Sequence, residues 1–230
     1  MPLFALPDWV EPTAEYMLEV GLRGTLRIAA FSLVASVVVG VILGTLLTIR
    51  FLPTRALIRL YVEVWRGLPI IVTIFIVFFV FPVVGNQFEF DPFTSATIAL
   101  SLWGSAQIAE ATRGAVQSIP REQHEAASAL GFGWAGRHVF VILPQAFRRL
   151  LPPLVSLLVG IIQNTTLASV IGATELLDTG KQQVERITAP PPAGIGEIHA
   201  IEIYGAVMVV FFLISFPLTR LAIFLERRLV

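Results

Sequence analysis

The chain has 230 residues, of which 56% are hydrophobic and 14% are charged, and its mean hydropathy is +0.81. Soluble domains contain about 25% charged residues, so this composition excludes an ordinary soluble protein and indicates a membrane protein. The lack of cysteine excludes disulfides, thiolate metal sites and cysteine nucleophiles. The formal net charge of zero indicates no particular partner, and we expect no nucleic acid to bind.

Five uncharged runs are long enough to cross a bilayer as helices, since a span needs about 20 mostly apolar residues. They occupy residues 28–49, 67–88, 92–109, 150–174 and 203–219. Four acidic residues precede the first run, which is the wrong charge for a cleaved leader, so we expect this run to be retained. The sequence therefore predicts an all-α membrane protein with five transmembrane helices in a single domain over residues 1–230.

The distribution of arginine predicts the orientation of these spans. Residues 50–66, residues 110–149 and the tail after residue 219 together hold 12 of the 16 basic residues but only five of the 16 acidic ones. Short cytoplasmic loops are enriched in basic residues, so we place these segments, including Arg50, inside. The N-terminus is then outside and the C-terminus inside. This agrees with five spans, because an odd number places the two ends on opposite sides. Arg23 and Arg27 lie on the outer side and depart from the pattern.

Other segments carry local patterns. Residues 175–202 are predicted to form an outer loop, because "ITAPPPAGIGE" cannot continue a helix. Ser36, Gly40 and Gly44 form a stripe of small residues that suits close helix packing, either within the chain or against a second transmembrane subunit. Glu110 and Arg113 are three residues apart and should form a local ion pair.

The polar segment at residues 110–149 raises the main question about function. Its eight formal charges would cost about 2.5 kcal/mol each at the centre of a span, so we expect the segment to stay in the cytoplasm. Pro120 suits the first turn of a helix, and the alanines that follow favour a helix of roughly ten residues. Gly131 and Gly133 are predicted to end this helix in left-handed conformations.

One face of this short helix is predicted to contact another protein. We place Ala126, Ala127 and Leu130 on that face, because alanine lets a partner's backbone come close. A short amphipathic helix that rests on lipid headgroups fits the composition equally well.

The same segment resembles the EAA loop of permease subunits of ABC importers. That loop reads Glu-Ala-Ala, three residues, Gly, nine residues, an aliphatic residue, one residue and Leu-Pro. The matching residues are Glu125, Ala126, Ala127, Gly131, Val141, Leu143 and Pro144. The stretches "VEVWRGLPI", "AEATRGAVQSIP", "LPQAFRRLLPPL" and "NTTLASVIGATEL" resemble the polar amino-acid uptake branch of that family, and the likeness covers about residues 20–225. Glu122, where glycine is common, and Gln107, where tyrosine is common, depart from the pattern.

The resemblance implies a permease subunit in a bacterial inner membrane. Its EAA segment would be a coupling helix for ATP-binding cassette subunits, with Glu125, Ala126, Ala127, Leu130 and Gly131 at the contact. A second permease subunit, which is identical or homologous, is also implied. An extracytoplasmic substrate-binding protein would dock on outer loops near residues 189–196. The remaining implied partners are an amino-acid substrate and the lipid bilayer. ATP and Mg would bind to the partner subunits, with no cofactor and no metal on this chain.

An enzymatic reading has little support in the sequence. The chain has no GxxxxGK[ST], HExxH or GxSxG motif, so we expect no catalytic residue, and ATP hydrolysis falls to another polypeptide. His124, His138 and His199 fall on predicted loops, and we interpret His124 and His138 as solvated.

Polar residues next to the spans are candidates for the substrate path, because polar groups in a membrane are costly. In the fourth run these are Gln163, Asn164, Thr165 and Thr166, for which hydrogen bonding between helices is the alternative. The resemblance implies that Glu63 and Arg66, in "ExxRGxP" where the second helix should begin, line the path. For Arg66, a positive-inside anchor is the alternative. Glu175 would either attract a cation or cap the fourth span.

A passive channel or ion-coupled carrier is the competing function. Such a protein would need charged residues deep within spans, and the five runs contain none. The sequence leaves open which amino acid is moved, whether the permeases form a homodimer or a heterodimer, and whether this subunit carries its own substrate site.

Overall fold

The computed structural model describes residues 7–49, 51–85, 88–189 and 194–229, and within these ranges it contains helices and no β-strand. Eight helices follow one another along the described chain. They are α1 (Val10–Leu46), α2 (Leu52–Gly67), α3 (Ile70–Val84), α4 (Pro92–Gln117), α5 (Arg121–Ala129), α6 (Trp134–Ile171), α7 (Leu176–Thr188) and α8 (Ala200–Leu229). Arg50 and the prolines at 190–192 lie outside the described residues.

Three helices in the described chain, α1, α6 and α8, are long and apolar enough to cross a membrane. The pair of α2 and α3 counts as a fourth if this bent pair forms one span. The predicted run at 92–109 lies in α4, which does not meet the same criterion. Because α4 packs between α1, α2 and α6, it contacts protein more than lipid and needs less apolar surface.

The stripe of small residues brings α1 and α4 into close contact. A Cβ atom on Gly40 would lie 2.6 Å from Ile108 Cβ, and a Cβ on Gly44 would overlap the carbonyl of Ala109. Ser36 Oγ donates to the carbonyl of Ser101 at 3.4 Å. Of the two alternatives for this stripe, the structure shows packing within the chain.

The first helix is longer than its predicted span. It begins at Val10 rather than near residue 28 and contains 37 residues, which corresponds to about 55 Å at 1.5 Å per residue. The hydrocarbon core of a bilayer is about 30 Å thick, so part of α1 must project beyond it or tilt strongly. Met17 on this extension packs with Leu176, Ile203 and Val207 of α7 and α8.

Two segments predicted as loops are helices. Residues 50–66 contain most of α2, whose buried Ile58 and Val62 are four residues apart, and the segment from Glu175 contains α7. Both helices are amphipathic and carry several charges, so a search for uncharged runs misses them. The second predicted span, 67–88, corresponds to the shorter α3.

A sharp break separates α2 from α3. The two helix axes meet at 109°. Leu68 is extended (φ −81°, ψ 139°), as expected for a residue before proline, and Pro69 then starts a new helix. Glu63 and Arg66 therefore lie in the last two turns of α2 and not at the start of the second span, contrary to the prediction.

Candidate functional site

Helix α5 ends in a well-formed glycine turn. Gly131 has φ +84°, which is the left-handed conformation that favours glycine. The amide of Phe132 donates to the carbonyl of Ala127 at 3.1 Å, and the amide of Gly131 donates to that of Ser128 at 3.0 Å, which is a Schellman motif. The short helix and its stop at Gly131 are confirmed. The same prediction for Gly133 is wrong, since its φ is −65° and it begins α6.

The two sides of α5 differ in their environment. Ala127 is only 2% exposed and faces the chain itself, where α5 packs on the first two turns of α6. Glu125 and Ala126 are exposed, and Leu130 is 78% exposed. Ala127 therefore does not share a free face with Ala126 and Leu130, because successive helical positions are separated by about 100°. Glu125, Ala126 and Leu130 together form what we call the outward face of α5.

Hydrogen bonds hold α5 on the rest of the protein. Arg137 Nη1 donates to Ser128 Oγ at 2.8 Å, and Gln145 Nε2 donates to Gln123 Oε1 at 3.2 Å. Arg149 Nη1 donates to both the carbonyl and the hydroxyl oxygen of Ser118, each at 2.7 Å. The last of these links α6 to the turn between α4 and α5. A displacement of α5 would thus be transmitted to both α4 and α6.

His138 is buried and not solvated, which corrects the interpretation made from the sequence. Its side chain is 3% exposed, and its Nδ1 lies 2.8 Å from the carbonyl of Trp134, to which it donates. Its Nε2 lies 3.3 Å from Thr48 Oγ1, just beyond the end of α1. One of its contacts, Thr48, is 90 residues away in sequence, so a local pattern does not reveal this contact. His124 lies on α5 rather than in a loop.

Arg66 and Asn164 each bond a residue that lines a groove between α4 and α6, although neither lines the groove itself. The groove has a volume of about 360 Å³, and Trp103, Gln107 and Gly160 are among its lining residues. Arg66 Nε donates to Gln107 Oε1 at 3.2 Å, and Asn164 Nδ2 donates to the carbonyl of Gly160 at 2.7 Å. Each candidate is thus one hydrogen bond away from a lining residue. Gln107, which departs from the family pattern, emerges as the partner of Arg66.

The hydroxyl groups of the fourth run bond within their own helix. Thr165 Oγ1 donates to the carbonyl of Ile162 at 2.8 Å, and Thr166 Oγ1 donates to that of Gln163 at 2.7 Å. Thr165 is buried, whereas Thr166 is half-buried. Their hydroxyl protons are used locally, so in this conformation each hydroxyl offers a ligand only an acceptor.

Glu63 and Glu175 lie in contrasting surroundings. Glu63 is exposed, and its Oε1 is 3.7 Å from Arg59 Nε one turn earlier in α2. Glu175 has no exposed surface, and its carboxylate accepts from the amides of Leu177 at 2.9 Å and Asp178 at 2.7 Å. It therefore caps α7 and not the fourth span. Burial raises the pKa of the Glu175 carboxyl above its usual range.

The predicted ion pair between Glu110 and Arg113 is present. Arg113 Nε donates to Glu110 Oε2 at 3.1 Å, and Arg113 Nη2 makes a second bond to the same carboxylate. Arg59 Nη1 approaches Glu110 Oε2 at 3.4 Å, so one carboxylate serves two guanidinium groups. Within the described ranges, no group of three or more His, Asp or Glu side chains could hold a metal ion.

Comparison with known proteins agrees with this architecture. The glutamine transport system permease protein GlnP of Escherichia coli (strain K12) is 34% identical over 224 residues, which cover 96% of this chain and 97% of that protein. The probable amino-acid ABC transporter permease protein YckA of Bacillus subtilis (strain 168) is 38% identical over 161 residues, 70% of each chain. A crystal structure of an amino acid ABC transporter with histidines has a TM-score of 0.79 at 23% identity and covers 98% of this chain and 100% of its own.

A family model matches most of the chain. The model of the binding-protein-dependent transport system inner membrane component matches residues 36–230, which contain α5 and both segments that flank it. The match includes Glu125, Gly131 and the outward face of α5. The chain therefore belongs to the family of binding-protein-dependent transport system inner membrane components, the membrane permeases of ABC importers.

Proposed function

We propose that this chain is one of two transmembrane subunits of an ATP-driven importer for polar amino acids. The relatives described above are named for glutamine or amino-acid transport, and none of them is named as a channel or an ion-coupled carrier. The observation that carries the proposal is the outward face of α5, where Leu130 is 78% exposed although it belongs to a polar segment. A large apolar side chain beside an exposed carboxylate suits a protein partner.

In this proposal, ATP-binding subunits dock on the outward face of α5 and hold ATP and Mg. Glu125, Ala126 and Leu130 form the contact, while buried Ala127 and the turn at Gly131 fix α5 to its own chain. When the partner subunits close, α5 moves with them. The bonds from Arg149 to Ser118 and the packing on α6 then carry this motion to α4 and α6.

The transmembrane arrangement in this proposal has five spans, with the N-terminus outside and the C-terminus in the cytoplasm. The excess of arginine in three segments supports the orientation. The chain would work in a bacterial inner membrane beside a second, identical or homologous permease. A substrate-binding protein would dock on the opposite side, near residues 189–196.

The substrate would pass along the groove between α4 and α6. Arg66 supplies a cation for the carboxylate of an amino acid, and Glu63 supplies an anion for its ammonium group. Asn164, Thr165 and Thr166 supply acceptors nearby, with Thr165 reachable only after a change of conformation because it is buried. For Glu175 we adopt the capping role, since its carboxylate is occupied by two amides.

Purification of the tagged chain from its own membrane tests the proposal. Glu125→Ala removes a carboxylate of the outward face, and Glu226→Ala removes another exposed carboxylate, on α8 and so away from that face. We expect the wild type and Glu226→Ala to bring down an ATP-binding subunit, identified by mass spectrometry, and Glu125→Ala to lose most of it. The amount of chain in the membrane should be the same for all three.

Two results would contradict this function. One is recovery of the wild-type chain without any nucleotide-binding partner, even after crosslinking, which would favour a channel or carrier. The other is equal loss of the partner in Glu226→Ala and Glu125→Ala, because the contact would then depend on the general charge of the chain and not on the outward face of α5.

A further inference from the structure

A large basic concavity lies beside α5, away from the outward face. Its volume is about 950 Å³, and it opens where the end of α1, the start of α2, the end of α4, α5 and the start of α6 come together. The residues with cationic or titratable side chains in its lining are Arg55, Arg59, Arg113, Arg137, His124 and His138. Among the described residues that line it, none is acidic.

Two of these guanidinium groups lack an anionic partner. Arg59 and Arg113 share Glu110, which lies just outside the lining. Within the described chain, the Arg55 side chain makes neither an ion pair nor a hydrogen bond, and Arg137 donates only to the neutral hydroxyl of Ser128 at 2.8 Å. The Nε atom of Arg137 is buried and has no acceptor among the described residues. An unsatisfied buried donor is costly, so an acceptor that bonds Arg137 Nε would be stabilised in the concavity.

The concavity also has an apolar rim. Leu47, Ile49, Phe51 and Leu52 contribute to its lining, and the side chains of Phe51 and Leu52 are exposed. They lie at the entry to α2, next to the end of the long apolar helix α1. A ligand that carries both an anionic group and hydrocarbon chains would satisfy the arginines and cover this rim. Guanidinium groups pair well with phosphate oxygens, because their N–H groups form a planar fork.

We propose that this concavity binds a phosphate group, carried by an anionic phospholipid of the cytoplasmic leaflet, with Arg55 and Arg137 as its principal contacts. The assignment to that leaflet rests on the orientation proposed above. Basic pockets between transmembrane helices on the cytoplasmic side suit such headgroups. His124 belongs to α5, and Arg137 bonds Ser128 of α5, so the bound headgroup would hold α5 against α1, α2 and α6. The lipid would thus support the element proposed to couple to the ATPase.

Binding can be measured by native mass spectrometry of the full-length chain, with the partners that copurify, in detergent. The probes are a phosphatidylglycerol, a phosphatidylcholine and inorganic phosphate, each titrated separately. Arg55→Gln is the test variant, because the Arg55 side chain makes no hydrogen bond or ion pair with the rest of the described chain. Arg148→Gln is the matched control, since Arg148 is exposed in the basic segment at residues 110–149 and does not line the concavity. We expect Arg55→Gln to weaken phosphatidylglycerol binding about fivefold, and Arg148→Gln to leave it unchanged.

The other outcomes have defined meanings. Equal loss in the two variants, or equal affinity of the wild type for both lipids, would overturn the site, because binding would then reflect general surface charge or apolar contact. A third combination is that inorganic phosphate binds, that Arg55→Gln abolishes this binding, and that neither lipid competes with it. In that case the phosphate site stands, but a lipid is not the source of the phosphate.

A third outcome separates this site from the proposed function. If Arg55→Gln reduces recovery of an ATP-binding subunit while lipid binding is unchanged, the concavity belongs to the subunit interface and the lipid site is overturned. Conversely, selective lipid binding in a chain that recovers no ATP-binding subunit would support the site while contradicting the coupling function.

Discussion

Single residues decide how α5 is held. Gly131 permits the left-handed turn, Ala127 is small enough to lie against α6, and Arg137 bonds Ser128 from the adjoining helix. These three features leave Glu125 and Leu130 free on the other side. The contact with a partner and the contact with the chain therefore depend on different residues, so they can be changed independently.

The turn after α5 can be tested by replacing glycines that differ only in backbone conformation. A Cβ on either Gly131 or Gly133 would meet no atom within 4 Å, but φ is +84° at Gly131 and −65° at Gly133. We expect Gly131→Ala to destabilise the turn by about 1 to 2 kcal/mol, the cost of a left-handed conformation in a residue with a side chain. ATP-dependent uptake into proteoliposomes should fall, and Gly133→Ala should transport like the wild type. Equal activity of the two variants would show that the conformation of Gly131 does not matter for coupling.

At the scale of helices, local patterns predict some elements well and miss others. The end of α5 depends on its own residues, so the sequence predicts it. Helices α2 and α7 were missed because their charges interrupt the apolar runs, although Ile58 and Val62 show the spacing of an amphipathic helix. The groove near Arg66 was also not predictable, because Gln107 comes close to Arg66 only when α2 packs on α4.

The contact between α1 and α4 leads to a prediction about the stability of the bundle. A Cβ on Gly40 would lie 2.6 Å from Ile108 Cβ and 2.8 Å from the carbonyl oxygen of Ser105, whereas a Cβ on Gly205 of α8 would meet no atom within 4 Å. Gly40→Ala should therefore destabilise the protein by about 1 to 3 kcal/mol, as overpacking of a core does. Thermal unfolding in detergent should occur at a lower temperature for this variant, and Gly205→Ala should match or exceed the wild type. An unchanged midpoint for Gly40→Ala would mean that the two helices can separate without cost.

The whole molecule combines a lipid-facing surface with a polar core segment. Apolar residues on α1, α3 and α8 are exposed in large numbers, as expected for helices that meet lipid, while α4 lies inside and carries Ser95, Ser105 and Thr112 buried. Hydropathy alone therefore predicts the outer helices better than the central one. Burial of α4 also explains why a count of apolar helices gives three or four spans, although the uncharged runs predict five.

Accessibility of single cysteines decides the number and orientation of the spans. The natural chain has no cysteine, so an introduced thiol is the only one present, and the exposed residues Glu15, Lys181, Glu122 and Glu226 are suitable positions. If there are five spans with the N-terminus outside, Glu15→Cys and Lys181→Cys should react with a membrane-impermeant maleimide in intact spheroplasts. Glu122→Cys and Glu226→Cys should react only after the membrane is broken. Glu15 and Glu122 flank the first three predicted spans, so labelling of both from one side would mean that α4, or the pair of α2 and α3, does not cross the membrane. Lys181 and Glu226 flank the last predicted span, so labelling of both from one side would mean that α8 does not cross.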